Sequence, residues 1–250
     1  MNEAANEQAF TTIGEDRPSR WLITCDHATN RVPDWVNGGN LGIAAEDMAR
    51  HIAFDPGAAG LTRALADRMD APAILSNFSR LVIDPNRGED DPTLLMRIYD
   101  GTIIPANRHA GAAARQERLD RLYRPYHHAY AALAARAPDR AICAIHSFTP
   151  QLRGRDRRPW EVGILYSHLD ARLALPLVES CRAEGWVTGD NQPYNGHLEG
   201  DAIDRHALQH GRPNVLIELR NDLIADMAGQ QLWAERLAPV IEQVLVESGL

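Results

Sequence analysis

The chain has 250 residues, 44% hydrophobic and 24% charged, which is enough apolar material for one large buried core and too much for wholesale disorder. A net charge of −8 argues against a general nucleic-acid binder, and the absence of lysine excludes Schiff-base chemistry and Walker-type phosphate binding, both of which need a lysine amine. No run approaches the roughly 18 apolar residues of a membrane helix, the N-terminus lacks the basic-then-apolar order of a secretory signal, and Cys25, Cys143 and Cys181 are too scattered for a disulfide framework or a CxxC zinc site, so a cytoplasmic protein is expected.

In chain order, residues 1–19 predict a loose N-terminal arm and 20–250 a single domain without internal repeats. The apolar run Trp21–Cys25 predicts a buried strand that stops at Asp26-His27. Residues 44–69 are helix-like, broken at Pro56-Gly57, with Leu61, Leu65 and Met69 on one apolar face. Strands are predicted at 73–75 and 81–83, the second ending at Asp84-Pro85-Asn86-Arg87. A loop rich in Gly, Pro and Asp covers 88–105, and a helical region kinked at Pro125 covers 106–136. Further strands are predicted at 141–145, ending at His146, at 162–166, at 186–188 and at 214–217, ending at Glu218. Helices are predicted at 171–183, 203–210 and 226–247. Strands that are apolar throughout and alternate with helices imply an α/β fold: a mixed, largely parallel central sheet flanked by helices on both faces. Ligands of such folds gather at the carboxyl ends of the strands. His27, Asn86, Arg87, His146 and Glu218 all fall there.

Two histidines in that position can offer imidazole nitrogens to a zinc ion, which also takes a carboxylate. Asp55 is the carboxylate candidate, and it also reads as a helix N-cap before Pro56. His51, four residues earlier, shares a face with Asp55 if that turn is helical, as an outer partner, a substrate contact or a replacement ligand. Glu218 near a metal can move a proton between water and a leaving amine, while its bland reading is an ion pair with Arg220. Arg87, with Asn86, suits a substrate carboxylate, whereas Arg80 reads as the partner of a nearby acid such as Asp84. Arg153-Gly154-Arg155-Asp156-Arg157-Arg158 is the most basic run; it reads as a solvated loop, with RNA or partner binding as the rival.

The blocks Asp26-His27-Ala28-Thr29-Asn30-Arg31-Val32-Pro33, 51–57, Asp84-Pro85-Asn86-Arg87, Ala144-Ile145-His146-Ser147 and Leu216-Ile217-Glu218-Leu219-Arg220, in that order, resemble the N-formylglutamate amidohydrolase family. The resemblance implies a zinc-exopeptidase-like α/β fold, related to carboxypeptidases and murein amidases. It implies hydrolysis of the amide of an N-acyl amino acid, with N-formyl-L-glutamate going to glutamate and formate in histidine degradation. It also implies one zinc ion per chain held by His27, Asp55 and His146, with Glu218 as the catalytic carboxylate and Asn86-Arg87 as the carboxylate-binding pair. The carboxypeptidase pattern HxxE would place a glutamate at position 30. Here Asn30, a poor zinc ligand, becomes a substrate contact beside His51, Arg220, Tyr194 and Asn195. The expected partner is a small N-acyl amino acid, with no nucleic acid and no membrane. Two rivals are an amidase for another acyl group and a non-catalytic small-molecule binder.

Overall fold

The computed structural model describes residues 8–250. The chain runs β1 (Phe10–Ile13), β2 (Trp21–Cys25), α1 (Ala45–Met48), α2 (Ala58–Arg68), β3 (Ala73–Ser76), β4 (Ile98–Tyr99), β5 (Thr102–Ile103), α3 (Pro105–Arg108), α4 (Ala112–Arg118), a π turn (Leu119–Tyr123), α5 (Arg124–Ala135), β6 (Ala141–Phe148), β7 (Val162–Leu165), α6 (Ala174–Ala183), β8 (Thr188–Asp190), α7 (Ala202–His206), β9 (Asn214–Arg220) and α8 (Met227–Glu247). Seven strands form one sheet in the order β1-β3-β2-β6-β9-β7-β8, and β4 and β5 make a separate hairpin. The centre, β3-β2-β6-β9, is parallel, whereas β1 against β3 and β7 against β9 are antiparallel. The expected mixed, largely parallel sheet is therefore present.

Side-chain alternation along the strands feeds two cores. Ile23, Cys143, Ile145, Val215 and Ile217 face one side and pack with α2, α6 and α8 through Leu61, Leu65, Leu177, Trp233 and Leu237. Leu22, Ile74, Ala144 and Leu216 face the other, against Phe78, Tyr123, Tyr126, Tyr130 and Ile203. α8 is capped by Asp226, whose side chain accepts the Gly229 N–H. Among the described residues no helix is long and apolar enough to cross a membrane.

Several expected boundaries move. Residues 10–13, expected in the loose arm, form β1 on the edge of the sheet, and residues 1–7 of that arm lie outside the described residues. β1 occupies the free edge of β3, so Leu81-Val82-Ile83 has no strand to pair with there; it is a buried turn, not the predicted strand. The helix expected over 44–69 is two helices separated by residues 49–57, so His51 and Asp55 share no helix face. The strand predicted at 186–188 begins instead at Thr188.

Candidate functional site

The carboxyl ends of β2, β6 and β9 lie side by side, and the parallel register pairs His146 directly with Glu218. By strand alternation both side chains emerge on the face of Ala144 and Leu216. His27 follows β2 by two residues. Asp55 is brought in by a loop whose backbone N–H donates to the His27 carbonyl at 2.9 Å. Gly57, at φ +83°, ends this loop and caps α2, and a Cβ there would lie 2.2 Å from the Ile224 carbonyl oxygen. Asp55 is thus not the helix N-cap; its carboxylate is free to turn inward.

Asp55 Oδ2 lies 2.8 Å from His146 Nδ1 and 3.4 Å from His27 Nδ1, and it accepts the Ser147 N–H at 3.3 Å. One ligand atom from each of His27, Asp55 and His146 lies within 4.8 Å of the others, and all three residues are buried. The outer nitrogens also face acids. His27 Nε2 donates to Asp84 Oδ1 at 2.7 Å, and His146 Nε2 lies 3.5 Å from Asp26 Oδ2. Asp84 is held in turn by Arg80, through Nη2 at 2.7 Å and Nε at 3.1 Å, the pairing expected for that arginine.

A carboxylate oxygen only accepts, so every imidazole nitrogen of both rings confronts a group that demands positive charge. Four buried carboxylates, Asp26, Asp55, Asp84 and Glu218, share this region with one buried guanidinium, Arg80, which pairs with Asp84. Two nitrogens, an oxygen and surplus negative charge fit a divalent cation, and zinc suits such a donor set. The local electrostatics agree. Burial would lower the His146 pKa, but its bonds to Asp26 and Asp55 outweigh burial and hold it well above the ordinary imidazole value. Burial would raise Asp55, but the two histidines hold it far below the usual carboxylate range.

Glu218 behaves differently. Burial, reinforced by Asp55 and offset by His146, pushes it up to about 7. Its Oε2 is buried with no hydrogen-bond partner among the described residues, and the expected alternative, an ion pair with Arg220, is not made. Gly163 sits opposite Glu218 across the β7–β9 pair, where a Cβ would meet the Gln192 carbonyl oxygen at 2.2 Å.

These groups open on a cavity of about 300 Å³ that also exposes His51, Asn86, Arg87, Tyr99, Tyr194 and Asn195. Arg87 bonds to Thr93 Oγ1 and the Asn86 carbonyl and has no carboxylate partner among the described residues. Asn86 Oδ1 accepts the Ala202 N–H at 3.2 Å. His51 lines the cavity 3.8 Å from Asp100 and is not part of the histidine–aspartate cluster. Burial lowers its pKa. Asn30 and Arg220 fall outside the cavity lining: the Asn30 amide donates to the Met48 carbonyl at 2.8 Å, and Arg220 pairs with Asp222 at 2.8 Å. The basic run lies between β6 and β7, with Arg157 paired to Asp222 at 3.0 Å and Arg158 over the Tyr194 ring at 4.9 Å. Sequence patterns alone do not place Asp26, Asp84, His197 and Asp201 in the site. In sequence Asp26 stands out only as the neighbour of His27 and Asp84 only as the expected partner of Arg80, and nothing local marks the others.

Comparison with known proteins follows the same lines. The family model for N-formylglutamate amidohydrolase matches residues 19–225. A solved gene product of Agrobacterium tumefaciens, Atu2144, is 32% identical, covers 99% of this chain and 98% of its own, and superposes with a TM-score of 0.92. The N-formylglutamate amidohydrolase of Ralstonia eutropha JMP134 is 19% identical over 94% of this chain and 98% of its own, with a TM-score of 0.59, a likeness of fold. No curated protein matches the chain.

Proposed function

The chain belongs to the N-formylglutamate amidohydrolase family, and from that premise we propose that it hydrolyses the amide bond of an N-acyl amino acid, with N-formyl-L-glutamate as the leading substrate. The observation that carries the reading is the convergence of His27, Asp55 and His146 beside Glu218, a buried carboxylate whose Oε2 is uncommitted. His27 and His146 through Nδ1, and Asp55 through a carboxylate oxygen, are the residues that would hold zinc, leaving a fourth position open. A zinc ion there supplies Lewis acidity towards the acyl carbonyl and makes water easier to deprotonate.

The protein's own groups do the rest. Glu218 takes a proton from the attacking water as the water oxygen bonds to the acyl carbon. It returns that proton to the amide nitrogen as the C–N bond breaks, releasing the amine and the carboxylic acid (formic acid, for a formyl group), which ionises to its carboxylate by giving its proton to the amine or to solvent. A buried carboxylate with an uncommitted oxygen is suited to both halves of that transfer. Arg87, unmatched by any acid among the described residues, is the natural holder of the substrate carboxylate, with Asn86 alongside. Tyr194, Asn195 and His51 complete the wall against which the rest of the substrate lies. The partner is a small molecule; nucleic acid and membrane have no part in this reading.

The test pairs elemental analysis with kinetics. Purified protein should contain about one zinc per chain and hydrolyse N-formyl-L-glutamate, and a panel of formyl, acetyl and formimidoyl amino acids reads out the acyl preference. Glu218→Gln should keep its zinc and lose roughly 10²–10⁴-fold in kcat. Near-normal turnover in a fully metallated Glu218→Gln protein would remove Glu218 from its role.

A further inference from the structure

We propose that Tyr126 is a positioning residue for the His27–Asp55–His146 centre and acts on it through Asp26. The proposal uses the metal reading above only for its choice of probe. Asp26 is buried immediately before His27. Its Oδ1 accepts the Tyr126 hydroxyl at 2.5 Å across 100 residues of sequence. Its Oδ2 faces His146 Nε2 at 3.5 Å, an ion-pair contact, and neither of those buried atoms has a hydrogen-bond partner among the described residues. Each therefore depends on the other to be satisfied. A carboxylate turns about a soft terminal torsion, so a bond on one oxygen decides where the other points. The Tyr126 hydroxyl is that bond.

The hydroxyl is itself well held. Tyr126 is fully buried, with Phe78 and Tyr130 packed edge-on at 6.4 and 6.1 Å between ring centroids. The Asp26 backbone is pinned as well, because Ser76 Oγ donates to its carbonyl at 2.6 Å. With Oδ2 so aimed, the proton of His146 is kept on Nε2 and Nδ1 is the nitrogen turned towards Asp55 and His27.

The helix that delivers Tyr126 departs from α geometry just before it, in the π turn Leu119–Tyr123. One extra residue in a turn resets the phase of all that follows. Tyr123, at the end of that turn, sends its hydroxyl to the Arg87 carbonyl at 2.6 Å. Two buried tyrosines one turn apart thus brace two different parts of the pocket, and Tyr123 provides the control.

Tyr126→Phe, Tyr123→Phe, Asp26→Asn and the Tyr126→Phe/Asp26→Asn double variant are compared by zinc competition against a chromophoric chelator. The Nε2 proton of His146 is followed by NMR in zinc-free protein. Asp26→Asn should weaken zinc binding about 10–100-fold and Tyr126→Phe about 10-fold. The double variant should be no weaker than Asp26→Asn alone, and Tyr123→Phe should bind as the parent does. In Tyr126→Phe the Nε2 proton should lose its downfield, carboxylate-bonded shift. Parental zinc affinity in Tyr126→Phe, or equal weakening by Tyr123→Phe, overturns the proposal. A parent protein that binds no zinc overturns the metal reading instead; an Nε2 resonance unmoved in Tyr126→Phe then overturns this one.

Discussion

Asp55 Oδ2 is the point on which both imidazoles and a backbone N–H converge, and its two sequence readings are separated by a single neighbour. Gly57 takes the cap position of α2, which leaves Asp55 to the histidines. Local sequence shows the acid and the Pro-Gly pair that follows it, but not which way the carboxylate turns, because that depends on atoms 28 and 91 residues away. Asp201 illustrates the same limit from the other side. It lines the cavity and caps α7 through the Asp204 N–H at 2.7 Å, while burial, helped by Asp26 and Asp204, pushes its pKa up to about 7. The folded protein therefore holds a proton on Asp201 that the unfolded chain releases near pH 4. Stability from this group is full below about pH 4, falls as pH rises to about 7, and levels off above. Asp201→Asn keeps the cap without the charge. It should be more stable than the parent at pH 8 by about 1–3 kcal/mol, with the gain vanishing by pH 4. Urea titrations at the two pH values check this; a gain independent of pH would show that the charge is not its source.

At the scale of elements, the strand ends are the part of the site that the sequence announces. Apolar runs that stop at His27, His146 and Glu218 are visible as patterns, and parallel pairing of β6 with β9 then puts His146 and Glu218 in register. The turn at 81–83 reads as a strand because short apolar runs look alike whether they pair or merely fill a core. What settles it is β1, which occupies the β3 edge. The loop carrying Asp55 depends on one backbone conformation. Gly57→Ala would force a side chain into φ +83° and against the Ile224 carbonyl oxygen. It should cost about 1–3 kcal/mol or more in unfolding free energy and weaken zinc binding, since Asp55 is two residues away. An unchanged urea midpoint with unchanged zinc affinity would contradict the strain argument.

For the molecule as a whole, the centre joins β2, the loop before α2, β6 and the turn after β3 around one point, so metal binding should be felt as global stability. At free zinc 1,000 times its Kd the folded state gains about 4 kcal/mol. For a chain of this size that is a Tm shift of about 8–16 °C, lost on adding a strong chelator. Calorimetry with and without chelator reads it directly, and an unchanged Tm in protein that demonstrably gives up its zinc would mean the centre is not structural as well as functional. The sequence by itself determined the fold class, the central strands β2, β3, β6, β7 and β9, and the histidines and glutamate that follow or end three of them, because apolar runs and their termination are local properties. Only the tertiary structure decided that β1 completes the sheet, that Asp55 turns inward, that Asn30 and Arg220 are spent elsewhere, and that Asp26, Asp84 and Tyr126 support the histidines from behind. Those assignments depend on which side chains meet across tens of residues, and that is set by packing and charge pairing in three dimensions, for which no short stretch of chain carries a signal.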